Sequence, residues 1–186
     1  DTEIVLHGMR PGTYPSNYPG TDIRHAAFQH LHSMQLMQAG WQAQKEGFDA
    51  YAISTLPDPA LREIRSLLRI PVVGYGESAM FTSLLLGQRF GVMVFISELT
   101  DLIAHNVDSY GLRERFAGAS DVGFRFADVL QGFGSPAPLI ERFLTAARAQ
   151  IARGAEVLIP GEAPLCVLLA SQGVREVDGV PVLDSL

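Results

Sequence analysis

The chain has 186 residues, of which 47% are hydrophobic and 18% are charged. That length predicts one domain or two small lobes, and that composition supports a buried core and argues against intrinsic disorder. The 14 basic and 20 acidic side chains give a net charge of −6. With no basic cluster to meet phosphates, the sequence argues against a general nucleic-acid binder or a membrane-surface binder.

The cysteine content and the apolar runs bear on the cellular compartment. Cys166 is the single cysteine, so an intrachain disulfide is excluded and a reducing compartment is favoured. The longest apolar stretch, around residues 80–86, is too short to span a bilayer. We therefore expect a globular cytoplasmic protein.

Short apolar runs alternate with helical patterns along the chain. The runs that predict buried strands cover residues 3–6, 51–54, 70–73, 90–95, 157–159 and 180–183, with 123–127 a weaker example. Ala27, Leu31, Met34, Gln38 and Trp41 recur at helical spacing and predict one face of an amphipathic helix. Residues 59–68 and 139–151 predict two more helices, the first with Pro59 in its first turn and the second ended by Gly154. This alternation predicts a mostly parallel sheet with helices on both faces.

Two short stretches recur at a nearly constant offset. Gly47-Phe48-Asp49 and Gly154-Ala155-Glu156 each precede an apolar run and lie 107 residues apart, while residues 70–73 resemble 180–183 at an offset of 110. The first offset places Thr55 opposite Glu162. An internal duplication of this kind predicts two similar α/β lobes with a cleft between them.

The predicted lobes divide the chain near its middle. We expect the first lobe to cover residues 1–88, with 179–186 returning to it, and the second to cover 89–178. The sequence opens directly on a strand pattern and closes where the alternation requires another helix. We therefore expect the natural chain to be longer at both ends.

Polar residues that follow the predicted strands are the candidates for a ligand site. In open α/β sheets, ligands bind beyond the carboxyl ends of the strands, where helix N-termini present free N–H groups. The residues selected by this rule are His7 with Arg10, Thr55 with Asp58, the stretch Gly74 to Ser78, Ser97 with Glu98, and Gly161 with Glu162. Loops of this kind are also polar for solvation alone, so the rule nominates residues without assigning them a role.

The glycine-rich stretch at residues 74–79 matches the dinucleotide-binding pattern G-x-G-x-x-A, with Glu98 lying 22 residues after Gly76. However, Glu77 would place a carboxylate beside a pyrophosphate, and Tyr75 is bulky where backbone and phosphate approach. We therefore favour a tight turn whose amides, around Gly74 to Ser78, receive a small anion such as a carboxylate.

Glu162 is the ionisable residue with the most informative position. It follows a predicted strand and precedes Ala163-Pro164, so it should lie in the first turn of a helix. An acid there stabilises a helix N-terminus. The same carboxylate would be a general base if burial raised its pKa from about 4.3 toward neutrality. The sequence by itself leaves both interpretations open.

The remaining nucleophilic and imidazole side chains have structural explanations. Cys166 lies one turn deeper in the same predicted helix among leucines and valine, so a buried thiol is expected. His25, His30 and His32 lie on a polar helix without a zinc-ligand pattern. His7 differs because it follows a predicted strand, and we expect it to contact substrate.

Four stretches, in chain order, resemble the aspartate/glutamate/hydantoin racemase superfamily, nearest its hydantoin racemase branch. They read FDAYAISTLPDPAL at 48–61, IPVVGYGESA at 70–79, LGQRFGV at 86–92 and GAEVLIPG at 154–161. The resemblance covers nearly the whole chain. It implies two pseudosymmetric Rossmann-like α/β lobes with mostly parallel sheets, an active site in the cleft between them, and further elements before and after the sequence.

The resemblance also exposes a departure at the positions that carry catalysis. Racemases of this family use two cysteines, one per lobe, on opposite faces of the substrate carbon. The motif before Asp58-Pro59 implies the first at Thr55, and the motif after Gly161 implies the second at Glu162. Neither residue is a cysteine.

This pair of residues changes the chemistry that is expected. An aliphatic hydroxyl such as that of Thr55 cannot serve as a base without an activating group, but it can orient a carbonyl or a water. Glu162 can act as a base from one face only. One-sided proton transfer suits isomerisation or tautomerisation, and the same base could activate a water for hydrolysis.

We therefore expect a cofactor-independent isomerase that holds no metal and acts on a small carboxylate or cyclic amide, with Glu162 as base and Thr55 as the orienting hydroxyl. The expected substrate contacts are His7, Arg10, Gly74, Gly76, Glu77, Ser78, Ser97 and Gly161. A hydrolase of a small amide or enamide and a catalytically silent binding protein are the alternatives. We also expect a homo-oligomer with no nucleic-acid or membrane partner.

Overall fold

The computed structural model describes residues 2–15 and 22–185. Its contacts divide the chain into two compact units. One comprises Asp1–Ile53 with Pro59–Val73, and the other Ser54–Asp58 with Gly74–Leu186. Both contain helices and strands, which confirms the predicted α/β class, while the predicted lobe boundary at residue 88 stays a prediction.

The described part of the first unit combines helices with a two-stranded sheet. In chain order its elements are α1 (Ala26–Glu46), β1 (Tyr51–Ile53), α2 (Leu61–Leu67) and β2 (Val72–Gly74). Strands β1 and β2 are hydrogen-bonded neighbours. Helix α1 ends at Gly47, whose φ of 86° provides the left-handed cap that glycine favours. The predicted first helix and the strands predicted at 51–54 and 70–73 are confirmed.

Helix α1 buries a different face from the one expected. Leu31 and Trp41 are 48% and 44% exposed, whereas Gly40 is buried. A Cβ at Gly40 would lie 3.0 Å from Leu68 Cδ1 and 3.2 Å from Tyr51 Cε1. The helix therefore packs through a flat glycine surface against these two side chains, which a count of apolar residues does not reveal.

Helix α2 starts two residues after the predicted proline. Its N-cap is Ala60, which has φ 59° and ψ 21°, and the preceding Asp58 has φ 48°. Pro59 therefore belongs to a tight turn before the helix. The left-handed conformation at Ala60 brings its Cβ close to a carbonyl oxygen and is unfavourable for every residue with a side chain.

Ala60→Gly should stabilise the protein, because it removes the Cβ that penalises this left-handed conformation. We expect a gain of roughly 0.5–1 kcal/mol after allowing for the greater freedom of glycine in the unfolded chain. Ala149→Gly, at an exposed position inside the helix Ala137–Ala152, is the matched control and should destabilise by about 1 kcal/mol. Urea unfolding measures both, and destabilisation by both variants would contradict the strain at Ala60.

The second unit is built around a three-stranded parallel sheet. Strand β3 (Phe90–Val94) lies in the centre and is buried along its whole length. Strands β4 (Phe116–Asp121) and β5 (Val157–Pro160) both run parallel to it. Parallel strands covered on both faces are recognisable as continuous apolar runs, so the strands predicted at 90–95 and 157–159 are confirmed, as is their parallel arrangement.

Among the residues that the structure describes, five helices complete the second unit. They are α3 (Tyr75–Ser83), α4 (Thr100–Ser109), α5 (Phe126–Gly132), α6 (Ala137–Ala152) and α7 (Ala163–Ser171), with short 3₁₀ turns at Ser97–Leu99 and Arg113–Arg115. Helix α6 confirms the helix predicted at 139–151, and Gly154 follows its end with a φ of 95°. In the part of the chain that the structure describes, no helix is both long enough and apolar enough to cross a membrane.

The strand predicted at 123–127 is wrong. The strand of this region is β4, which ends at Asp121, and α5 begins at Phe126. Strand β4 escapes detection because it reads Phe-Ala-Gly-Ala-Ser-Asp and is only half-buried, without an apolar alternation. Buried Gln150 stabilises it instead, because its Nε2 donates to the Gly118 carbonyl at 2.8 Å.

The last described residues pair inside the second unit. Strands β6 (Glu176–Val177) and β7 (Val180–Pro181) form an antiparallel pair, and Val182 bridges Leu158 of β5 in parallel. This confirms the strand predicted at 180–183. It also places that strand beside β5, whereas residues 179–186 were expected to return to the first lobe.

The strand predicted at residues 3–6 is wrong in the structure described. These residues form neither helix nor strand, and Ile4 and Leu6 are 77% and 90% exposed. A strand requires a hydrogen-bonding neighbour, and within residues 2–15 and 22–185 none pairs with this run. His7 therefore does not follow a strand.

Candidate functional site

Glu162 lies at the carboxyl end of the buried parallel sheet. Strand β5 ends at Pro160 and α7 begins at Ala163, so Glu162 is the N-cap residue, one position earlier than expected. Its backbone is extended, with φ −129° and ψ 140°, and its side chain does not cap its own helix. The residue is only 8% exposed.

The carboxylate of Glu162 binds two backbone amides beyond the end of β3. The Phe95 N–H donates to Oε1 at 3.0 Å and to Oε2 at 3.2 Å, and the Ile96 N–H donates to Oε1 at 3.2 Å. The Gly161 N–H, which donates to the Met93 carbonyl at 2.7 Å, continues the β3–β5 pairing up to this point. The sheet therefore places a buried carboxylate over the end of its central strand.

The environment of Glu162 favours its protonated form. Burial raises its pKa to about 8 and outweighs the two amide hydrogen bonds, which lower it. The charge of Asp121, the last residue of β4, is a smaller cause that acts in the same direction as burial. A carboxyl group that titrates near neutrality can exchange protons in both directions at working pH, which is the requirement for general acid–base catalysis.

The raised pKa of Glu162 predicts a pH-dependent stability. Its pKa is above the ordinary value of 4.5 and reaches about 8 in the folded protein, so its stabilising contribution is complete below pH 4.5 and is lost as the pH rises to 8. We expect the Tm to fall more steeply over this range in the wild type than in Glu162→Gln, which carries no titrating group there. Thermal unfolding of both proteins at several pH values tests this, and parallel curves would contradict it.

Thr55 lies half-buried in the turn after β1, and Asp58 closes that turn. The Asp58 N–H donates to the Thr55 carbonyl at 3.0 Å. The Asp58 carboxylate accepts from the backbone N–H of Gly76 at 2.9 Å and of Glu77 at 2.6 Å, and from the Tyr110 hydroxyl at 2.8 Å. Asp58 thus caps the first turn of α3 from a distant loop and fixes the Thr55 turn to that helix.

This capping changes the interpretation of the glycine-rich stretch. The N–H groups of Gly76 and Glu77, which were expected to hold a substrate anion, already donate to a carboxylate of the protein. The glycine at position 76 has a steric reason, because a Cβ there would lie 2.0 Å from the Leu56 carbonyl oxygen. The stretch is therefore a tight turn with an anion on its amides, and the anion is Asp58.

The other expected contacts in the second unit lie near the same ends of the strands. Gly74 is buried as the N-cap of α3, and Ser78 is half-buried within that helix. Ser97 is exposed after β3, and its hydroxyl donates to Glu98 Oε2 at 3.3 Å. Gly161 is required by packing, since a Cβ there would lie 2.7 Å from Val94 Cγ1.

His7 and Arg10 belong to the first unit and are both exposed. Arg10 is held by helix α1, because its N–H donates to Gln35 Oε1 at 2.9 Å and its guanidinium donates to Gln38 Oε1 at 2.8 Å. Both residues lie outside the unit that contains Thr55 and Glu162.

The second unit therefore contains both Thr55 and Glu162. Thr55 and Glu162 are not hydrogen-bonded to each other within the described structure. Sequence reasoning missed Asp121, whose proximity to Glu162 depends on the sheet order. Sequence reasoning named Asp58 as a candidate for the ligand site but did not predict that it caps α3, because a cap 18 residues away in sequence has no local signal.

Cys166 is buried one turn beyond Glu162, as predicted, with 2% of its surface exposed. Its Sγ lies 3.7 Å from Asp184 Oδ1 and 3.9 Å from the Ser185 hydroxyl. That hydroxyl is also 2.7 Å from the Tyr75 hydroxyl, and burial raises the pKa of Tyr75 to about 12. The thiol therefore packs against the end of the described chain.

Comparison with known proteins identifies the family. The family model of Asp/Glu/Hydantoin racemase matches residues 13–186, so the chain belongs to this family. Two curated relatives are hydantoin racemases. That from Pseudomonas sp. (strain NS671) is 34% identical over 74 residues, covering 40% of this chain and 30% of the relative. That from Rhizobium meliloti is 24% identical over 145 residues, covering 78% and 58%.

A solved structure supports the same assignment. The allantoin racemase from Pseudomonas fluorescens superposes with a TM-score of 0.71 and 25% sequence identity, over 84% of this chain and 65% of that protein. The chain spans between about a third and two thirds of the length of these relatives.

Proposed function

We propose that this protein catalyses cofactor-independent proton transfer on a small carboxylate or cyclic amide, with Glu162 as the single base. The observation that carries the proposal is a buried carboxyl group, held by two amides at the end of a parallel sheet, in a member of a racemase family. The hydantoin and allantoin racemases that resemble the chain support a cyclic amide as the substrate class.

The chemistry follows from the protonation of Glu162. In its ionised form the carboxylate removes a proton from the carbon next to a carbonyl, and the electron pair of the C–H bond moves into the carbonyl as an enolate. The carboxylic acid so formed returns the proton to the same face of the enolate, either at another atom or after the plane has turned. No bond to the substrate skeleton breaks, and Glu162 ends as it began.

Other residues take supporting roles in this proposal. The Thr55 hydroxyl would orient the substrate carbonyl, since the Asp58 cap holds its turn in place. Ser97 and Ser78 offer hydroxyl groups near the ends of the strands. Gly74 and Gly161 would shape the backbone there. The amides of Gly76 and Glu77 have no role in substrate binding in this proposal, because they already donate to Asp58.

Isotope exchange tests the proposal directly. The protein is incubated in deuterated water with hydantoins, allantoin, α-amino acids and other small cyclic amides, and the products are followed by NMR and mass spectrometry. Deuterium at a carbon next to a carbonyl, without bond cleavage, is the expected result. Ring opening without exchange would replace proton transfer by hydrolysis, and no reaction with any compound would overturn the proposed substrate class.

A further inference from the structure

We propose that the backbone N–H groups of Phe95 and Ile96 form the site that binds a carbonyl or carboxylate oxygen of the substrate, and that Glu162 occupies this site until the substrate displaces it. The inference rests on the proposed function and deepens it, because it names where the substrate oxygen binds. It assigns a ligand to two residues that the sequence did not nominate.

Two consecutive N–H groups converge on one oxygen atom beyond the end of β3. The Phe95 nitrogen lies 3.0 Å from Oε1 and 3.2 Å from Oε2 of Glu162, and the Ile96 nitrogen lies 3.2 Å from Oε1. Oε1 therefore accepts from both N–H groups, which is the arrangement of an oxyanion hole. A ligand oxygen at the position of Oε1 would accept the same pair of hydrogen bonds.

The sheet leaves these two N–H groups without a strand partner. The Gly161 N–H of the β5 side donates to the Met93 carbonyl at 2.7 Å, and the Val122 N–H of the β4 side donates to the Val94 carbonyl at 2.8 Å. Both bonds use carbonyl groups of β3, so among the described residues the two N–H groups that follow are bound by a side chain instead of a strand.

The position of the amide pair suits a ligand. It lies beyond the carboxyl end of a parallel sheet, where α/β proteins bind their ligands. Phe95 and Ile96 are buried, and the next residue, Ser97, is exposed. Buried N–H groups require an acceptor, so a substrate oxygen must replace the Glu162 carboxylate there and cannot simply remove it.

Glu162 is held at this site by bonds that a ligand can replace. Its side chain makes no cap hydrogen bond to its own helix. Burial raises its pKa to about 8, so the carboxyl group is mostly protonated at neutral pH, and a neutral acceptor forms weaker hydrogen bonds than a charged one. A substrate oxygen that carries or develops negative charge therefore competes favourably for the two N–H groups.

Displacement would couple substrate binding to the strength of the base. The two amide hydrogen bonds lower the pKa of Glu162, so their loss makes its carboxylate a stronger base. That carboxylate takes the proton from the carbon next to the substrate carbonyl, and the electron pair of the C–H bond moves into the carbonyl. The Phe95 and Ile96 N–H groups then donate to the enolate oxygen, while the proton stays on Glu162.

Acetate binding to Glu162→Ala tests the site without a substrate. Alanine retains the Cβ of Glu162 and lacks its Cγ and carboxyl group, which are the atoms that acetate supplies. We expect acetate to shift the backbone amide NMR signals of Phe95 and Ile96 in Glu162→Ala and to raise its Tm by mass action. Acetamide has the same shape without the charge and should bind at least about tenfold more weakly. Sodium chloride at equal ionic strength should have neither effect.

The control variants keep the site occupied. In Glu162→Gln the amide oxygen still accepts the two N–H groups, so acetate should bind at least about tenfold more weakly than to Glu162→Ala. The wild type and Glu141→Ala, an exposed change on α6, should show no shift of the two signals at the same acetate concentration. Glu162→Ser opens the same site with another small side chain and gives the same measurement if the alanine variant does not fold.

Unchanged Phe95 and Ile96 signals in folded Glu162→Ala or Glu162→Ser would overturn the inference, as would equal acetate affinities of Glu162→Ala and Glu162→Gln. Because acetate binding needs no turnover, acetate binding without deuterium exchange in any compound would leave the oxygen site standing and reject the proposed proton transfer. A compound that undergoes exchange should shift both amide signals when it binds the wild type, and bound substrate without this shift would reject the oxygen site alone.

Discussion

Glu162→Gln should abolish deuterium exchange into substrate while leaving the fold intact. The amide oxygen of glutamine can still accept the N–H groups of Phe95 and Ile96, so the local hydrogen bonding is preserved. Glutamine cannot take up a proton near neutral pH, and loss of a general base typically costs 10²–10⁴-fold in rate. We expect a loss of about that size in the exchange rate, measured by NMR in deuterated water, with substrate binding retained.

Two control variants test whether the loss of deuterium exchange is specific to Glu162. Glu141→Gln removes an exposed carboxylate from α6 and should exchange at the wild-type rate. Cys166→Ser removes the single thiol one turn from Glu162 and should retain most of the exchange. If Cys166→Ser were inactive and Glu162→Gln active, the thiol would be the base and the proposed assignment would be wrong.

Gly76→Ala should lower the free energy of unfolding more than Ala149→Gly or Gly134→Ala does. A Cβ at this position would lie 2.0 Å from the Leu56 carbonyl oxygen and 2.9 Å from Asp58 Oδ2. Because the nearest atom belongs to the backbone, no side-chain rotation relieves the clash, and either the Thr55 turn or α3 must move. Overpacking typically costs 1–3 kcal/mol, and we expect about 3 kcal/mol here because the Asp58 cap is disturbed as well. Urea unfolding measures the change.

Gly134→Ala is the matched control for this substitution. Its nearest neighbour would be the Gln131 carbonyl oxygen at 3.6 Å, an ordinary contact, so its stability should change by less than about 0.5 kcal/mol. The displaced Thr55 turn should also slow exchange in Gly76→Ala even where the protein remains folded. Equal free energies of unfolding for the two alanine variants would show that the turn before α3 moves to relieve the clash at position 76 without loss of stability.

Local patterns predicted the elements that bury their own apolar side chains. Strands β3 and β5 and helix α6 each carry a continuous or periodic apolar signal, and the structure has them within about two residues of the expected bounds. The repeat of Gly47 and Gly154 also has a structural counterpart, since Gly47 is the C-cap of α1 and Gly154 follows the C-cap of α6, both in the left-handed region just before a strand. This repeat is what placed Thr55 opposite Glu162.

Features that depend on distant partners were not predictable. Strand β4 has small residues and depends on Gln150, and the run at residues 3–6 has the composition of a strand without a described neighbour. At the site, the sequence identified Glu162 but not the amides that bind it, 66 and 67 residues away. Those contacts follow from the strand order β4-β3-β5, which no local pattern encodes.

The position of Cys166 provides a built-in reporter of local opening. Its thiol belongs to α7 and is buried beneath Asp184 and Ser185. A thiol reagent can therefore reach it only after these residues separate from α7, so the labelling rate measures how often this part of the chain opens in the native state. Because the sequence contains no other cysteine, the labelling kinetics need no background correction and can be followed on the wild-type protein.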